Sequence, residues 1–342
     1  MENKTLFTKK FNVLLFALIL SQSLISIAQQ QYDIRTPKFQ RVENAYAYLI
    51  QMDNYFDLLL NNYPSLSLEI EVSENLFTNS YGKAKVKMRE YLISFYGIEK
   101  LQNFEKDFSD VLTENSSSML SEMSTEYSAR QVLDILDKRS KGNIPPDELK
   151  TILSFQFIDN PLLEFTKGYK YTYKTKNHSK SKGTDWQLEI PLSWKAEEGD
   201  RPNIIQKFTN DCGDGFQIIM LMVQNLPPEN CNLTDDQIEL LREESAIKSM
   251  IPKNSEFISY TKISIESYKG GMIIFESIKT RLDLTIKMRC CMFFFLTDDM
   301  MYQIMCMVSS DDNKKDLSKE MDISLPLFKS VVNTIVINNK YH

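Results

Sequence analysis

The hydrophobic period of this chain changes once, and that change limits what it can fold into. From about Pro37 to Phe165 apolar residues recur at three-, four- and seven-residue intervals, whereas from Trp186 onward they alternate. The first spacing lines one face of a helix and the second lines one face of a strand. The chain therefore reads as α+β: an N-terminal helical domain over 37–165, then a domain over 185–342 in which antiparallel strands and helices are segregated.

Within the first half, Val42, Tyr46, Leu49, Phe56 and Leu60 form one stripe, which ends at Asn61-Asn62-Tyr63-Pro64. Tyr81, Ala84, Met88, Tyr91, Leu92 and Phe95 form a second, with Gly97 as its C-cap. Ile98, Leu101, Phe104, Phe108 and Leu112 form a third, broken at Asn115-Ser116-Ser117-Ser118. Met123, Tyr127, Leu133 and Leu136 lead towards Gly142, and Pro145-Pro146-Asp147-Glu148 opens a short helix carrying Leu149, Ile152 and Leu153. Residues 65–78 alternate briefly, as a strand or an extended loop would.

Between the two halves, 166–184 is rich in lysine and tyrosine: Lys167, Lys170, Lys174, Lys176, Lys180 and Lys182 interleave with Tyr169, Tyr171 and Tyr173. Such a run reads as a solvated interdomain linker or an edge strand, where lysine discourages further pairing. A polyanion-binding patch is the competing reading. The formal net charge of −6 disfavours a nucleic-acid partner and leaves an envelope glycan or lipid headgroup as that reading's ligand.

The second half carries strand patterns at 186–190, Ile204–Phe208 and 216–223, the last two joined by Asp211-Cys212-Gly213-Asp214-Gly215. Thr234-Asp235-Asp236-Gln237 is a capping-box signature opening a helix that Pro252 stops. Strands at about 257–267, 271–278, 284–296 and 300–309 follow, then a helical segment after Pro326 with Phe328, Val331, Val332 and Ile335. The order Trp186…Ile190-Pro191…Trp194-Lys195, paired strands ending in Met222-Val223-Gln224, an inserted helix, a four-strand meander and a closing helix resembles the PsbP family over about 185–338. The resemblance implies an α/β/α sandwich and a binding or assembly role without catalysis. No ligand motif of that family is matched, so no functional residue is carried over.

The first 28 residues read as a secretory signal peptide. Lys4, Lys9 and Lys10 precede a short apolar core, Val13 to Leu20, and Ser26-Ile27-Ala28 place small residues before a cleavage site at Gln29. The core is too short to span a bilayer. No cysteine follows it for lipid attachment, so the expectation is an exported protein, periplasmic or secreted, soluble after cleavage and without a stable membrane anchor. Removing 1–28, which holds three Lys and one Glu, takes the net charge to −8.

Only two histidines are present, His178 in a polar stretch and His342 at the end, which excludes an imidazole-based mechanism or a multi-histidine metal site. All five cysteines, Cys212, Cys231, Cys290, Cys291 and Cys306, fall in the second half, where export permits disulfides. With a two- or four-residue loop at Thr297-Asp298-Asp299-Met300, Cys291 faces Cys306. Cys212 with Cys231 is a second pairing, both being near strand ends. The same register gathers Met288, Cys290, Met292, Met305 and Met307 on the opposite face, as gap-filling core or as a soft-metal site for Cu(I). Asp211 and Asp214 are too few for a calcium loop and read as turn acids. Trp186 and Trp194 read as core anchors, with a ligand groove as the alternative. No nucleophile elbow, zinc-protease motif or phosphate loop is present, and carboxylate-only hydrolysis needs a cleft that sequence does not reveal. The expected function is an exported, non-catalytic binding or envelope-assembly module without a cofactor, its partner an envelope protein or small ligand. The alternative is a redox or copper-binding protein built on the Cys/Met strands.

Overall fold

Thr36 starts the first helix. Its side chain accepts the N–H of Phe39, and Pro37, which has no N–H to satisfy, takes the first helical position. The computed structural model describes residues 36–338 apart from 123–124, 211–215, 227, 229–230, 282–283, 298 and 312–314. The signal-peptide reading, the Asp211–Gly215 turn and Cys212 therefore lie outside the described residues. The chain divides into two compact units, Met1–Gln156 and Phe157–His342.

The first unit is helical: α1 (Pro37–Asn62), α2 (Ser67–Tyr96), α3 (Ile98–Glu122), α4 (Glu126–Ser140) and α5 (Pro146–Gln156). α2 is the central element, against which α1, α4 and α5 pack. Its buried residues, Ile70, Ser73, Phe77, Tyr81, Ala84, Met88 and Leu92, keep a three-or-four spacing from end to end. The 65–78 stretch is therefore mostly helix, not strand or loop. Its alternating Leu68, Val72 and Leu76 lie exposed, and only the helical subset enters the core. The expected break at Asn115–Ser118 is likewise absent, since α3 runs through it. Among the polar ties, Arg89 grips Glu105 with Nε at 2.7 Å and Nη2 at 3.1 Å, and the Tyr46 hydroxyl donates to the same carboxylate. This holds Glu105 below the usual carboxylate range despite its partial burial.

The second unit begins with α6 (Pro161–Thr166). β1 (Lys170–Lys174), β2 (Trp186–Pro191) and β10 (Val336–Ile337) form a three-stranded sheet in the order β1-β2-β10. The larger sheet has seven antiparallel strands in the order β3-β4-β5-β9-β8-β7-β6. These are β3 (Lys195–Glu198), β4 (Ile204–Thr209), β5 (Gln217–Asn225), β6 (Glu256–Ile265), β7 (Tyr268–Arg281), β8 (Leu284–Leu296) and β9 (Met300–Ser310). α7 (Asp235–Leu241) and α8 (Glu244–Lys248) lie between β5 and β6, and α9 (Leu317–Val332) follows β9. The Thr234–Gln237 capping box forms as its sequence implies, with each side chain bonded to the other residue's backbone.

α9 begins nine residues before Pro326, not after it. Asp316 caps it by accepting the N–H groups of Ser318 and Lys319, and Pro326 lies inside the helix. A proline there forgoes one helical hydrogen bond. Burial of Met321, Leu327, Phe328, Val331 and Val332 against the sheet offsets that loss. Glycine allows close approaches in the meander: a Cβ on Gly270 would stand 2.0 Å from the Phe294 carbonyl oxygen, and one on Gly271 2.5 Å from a Tyr260 ring carbon and 2.6 Å from one of Phe294.

Candidate functional site

The seven-stranded sheet has two unlike faces. One is packed beneath α9: Ile219, Leu221, Phe293, Phe295, Ile304, Cys306 and Val308 join Leu327, Phe328 and Val331 in a single core. Trp186 and Trp194 belong to it, both buried, stacked edge-on against Tyr302 and Phe328 respectively. They are core anchors rather than groove walls.

On the other face, Lys207, Met220, Met305, Met292, Ile273 and Tyr260 are successive register partners. The adjacent row is Thr209, Ile218, Met307, Cys290, Phe275 and Phe257. Directly paired residues on neighbouring strands point to the same side. Coverage of this face is uneven. Over β7 and β8, Ile247 of α8 with Met250 and Ile251 closes a second apolar cluster on Ile273, Phe275, Met288, Cys290, Met292 and Phe294. Over β5 and β9, Ile218, Met220, Met222, Met301, Met305 and Met307 remain half-buried. The strip is bordered by Gln224 and Gln303, whose amides donate to the Met301 sulfur at 3.3 and 3.1 Å.

The five residues of the soft-metal reading thus share a face, and three of them, Met288, Cys290 and Met292, are core of the second cluster. Among the described residues no group of three or more His, Cys, Asp or Glu side chains is placed to hold a metal ion. The copper reading gains no support.

Cys291 and Cys306 are register partners on the α9 side of the sheet. Both are buried and present as free thiols. Burial raises the Cys291 thiol to about 12 and pushes Cys306 well above its ordinary range. Cys231, the other half of the second pairing, sits half-buried before α7.

Part of the Lys/Tyr-rich run is tied into the fold. Residues 170–174 are the edge strand of the three-stranded sheet. Lys170 pairs with Glu189 at 2.6 Å, Lys180 with Glu198 at 3.0 Å and Lys176 with Asp185 at 3.8 Å. Tyr173 packs edge-on against Phe208 and donates to Gln206 at 3.0 Å. Lys174 and Lys182 stay exposed, and the compact unit begins at Phe157, ahead of this run.

Two polar groups that sequence reasoning missed organise this unit. Arg242, nearly buried, donates to the carbonyls of Gly270 (3.0 Å) and Ile263 (3.1 Å) and to Glu239 (2.6 Å), tying α7 to the β6–β7 hairpin. Glu164 of α6 is buried and accepts the Ser193 N–H and hydroxyl, each at 2.8 Å, bracing the turn between β2 and β3. Neither residue stands in a motif, since both partners come from distant parts of the chain.

No family model and no curated protein matches the chain. Similar solved structures include cyanobacterial PsbP from Synechocystis, 8% identical over 49% of this chain and 92% of that one, TM-score 0.31. The Ran-binding protein Mog1p of Saccharomyces cerevisiae is 9% identical over 49% of this chain and 95% of its own, TM-score 0.32. LpqN of Mycobacterium tuberculosis, described as involved in cell envelope biogenesis, is 8% identical over 50% and 93%, TM-score 0.31. Each of these similarities covers about half of this chain.

Proposed function

We propose that this chain is an exported, non-catalytic binding or assembly module, and that the half-buried strip on β4, β5 and β9 receives an amphipathic helix of a protein partner. The observation that carries the reading is the uneven cover of the sheet. α9 fills one face, α8 and its neighbours close part of the other, and six apolar side chains over β5 and β9 stay half-buried. Three strands span about 10 Å, close to the roughly 10–12 Å diameter of a helix with its side chains. The nine residues of β5 extend about 30 Å, the length of a helix of about 20 residues. Methionine suits such a surface because its unbranched thioether adapts to the shape laid on it. Export rests on the features of residues 1–28.

The test is site-directed photo-crosslinking in cells, with a crosslinking amino acid at Met220, Met222 or Met305 and, as control, at Lys287 on the opposite face. We expect a common protein adduct from the three strip positions and not from the control, lost when Met220→Lys is added to the Met305 probe. Absence of any strip-specific adduct refutes the reading.

A further inference from the structure

The same unit holds a second concave feature on the α9 side of the sheet. Near the ends of β7 and β8, two neighbouring cross-strand pairs, Glu276 with Arg289 and Ile278 with Lys287, share that face. The first turn of α9, Asp316 to Ser318, lies beside them together with Lys315, and the half-open pocket they line measures about 250 Å³. Arg289 forms its floor. Only 18% of its side chain is exposed, Nη1 donates to Glu276 at 2.9 Å, and Nε is buried with no hydrogen-bond partner. A guanidinium has five N–H donors, and a single hydrogen bond among the described residues leaves this one with donors to spare. Lys287 forms no ion pair among the described residues, and Lys315 pairs with Glu320 at 3.7 Å.

We propose that this cavity binds a small monocarboxylate with an apolar body. The carboxylate meets the fork of Arg289 and the ammonium groups of Lys287 and Lys315, and the body lies along Ile278 and Leu317. Two features select this chemistry. The three cations are opposed by Glu276 and Asp316, so the lining has one net positive charge, which suits a monoanion better than a phosphate dianion. Beside the charges stands Ile278, 60% exposed, an apolar surface that a bare inorganic ion would leave wet. The volume is just under that of typical drug-sized pockets and matches a smaller molecule. The α9 terminus itself is already capped by Asp316, so the basic side chains and not the helix end carry the anion.

The experiment is calorimetric titration of the full chain with hexanoate, with inorganic phosphate as the competing probe. We expect saturable hexanoate binding, at least about tenfold tighter than phosphate, weakened about tenfold or more by Lys287→Glu. Lys287 is half-buried and forms no ion pair among the described residues, so the ligand-free unfolding midpoint of this variant should stay put, and Arg289→Lys, which keeps the charge and loses the fork, should also weaken binding. Phosphate binding as tightly as hexanoate overturns the ligand class. Absence of saturable binding, or binding indifferent to Lys287→Glu, overturns the site.

Discussion

Glu164 offers a direct test of the electrostatics of the second unit. Its carboxyl accepts two hydrogen bonds from Ser193 and no cation pairs with it among the described residues, so burial dominates and raises its pKa from 4.5 to about 7. A carboxyl raised on folding binds its proton more tightly in the native state than in the unfolded chain. Its contribution is therefore fully favourable below the unfolded value near 4.5, and is lost as pH rises through about 7. One pH unit of difference corresponds to about 1.4 kcal/mol, so the native state forfeits on the order of 3 kcal/mol between those limits. Glu164→Gln, which keeps the shape and removes the charge, should abolish that loss and stabilise the protein at pH 8. Both tryptophans, Trp186 and Trp194, lie in the core of this unit, so urea unfolding followed by tryptophan fluorescence reports on it alone. Measured at pH 5 and pH 8, the wild type should lose far more stability than the glutamine variant. Glu197, held down to about 2 by Lys195 and Lys207, titrates below this window and does not interfere. Equal pH dependence in the two proteins would refute the reasoning, because it would mean that Glu164 is not the group that holds the proton.

Two further outcomes follow from packing and thiol burial. Gly271→Ala should destabilise the second unit by about 1–3 kcal/mol in the same assay, because its methyl would collide with Tyr260 and Phe294; an unchanged midpoint would show those rings yield freely. Cys290, Cys291 and Cys306 should resist iodoacetamide at pH 8 while the protein is folded, since burial disfavours each thiolate, and all three should label after unfolding. Native labelling would contradict the burial argument. Loss of two of the three sites from the unfolded count would instead reveal a Cys291–Cys306 bridge in the purified protein.

Legibility in the sequence followed how local each signal was. The Asn61-Asn62-Tyr63-Pro64 stop and the Thr234–Gln237 capping box act within a turn or two of chain, and both stand where their residues imply. The meander register was readable because a tight loop at residues 297–300 determines which residues face each other, and Cys291 does face Cys306. The failures have a common origin. At residues 65–78 the alternation of Leu66, Leu68, Ile70 and Val72 imitated a strand, but tertiary packing buried only Leu66 and Ile70 of those four. Asn115–Ser118 carry weak helix formers, yet α3 continues through them. Pro326 reads as a helix start in isolation, while Asp316, ten residues earlier, supplies the actual cap.

By itself, then, the sequence determined the α+β class, the order of most elements and the sidedness of each strand, since these depend on spacings of two to four residues and on nearby caps. Only the tertiary structure decided which side of the large sheet would be sealed. α9 buries one face, and α8 covers only part of the other, leaving the methionines of β5 and β9 half-buried. It alone brought Glu164 to Ser193, and set Arg289 and Lys287 beside the first turn of α9. Those meetings join residues far apart in the chain, and no local pattern of charge or hydrophobicity specifies how distant surfaces come together.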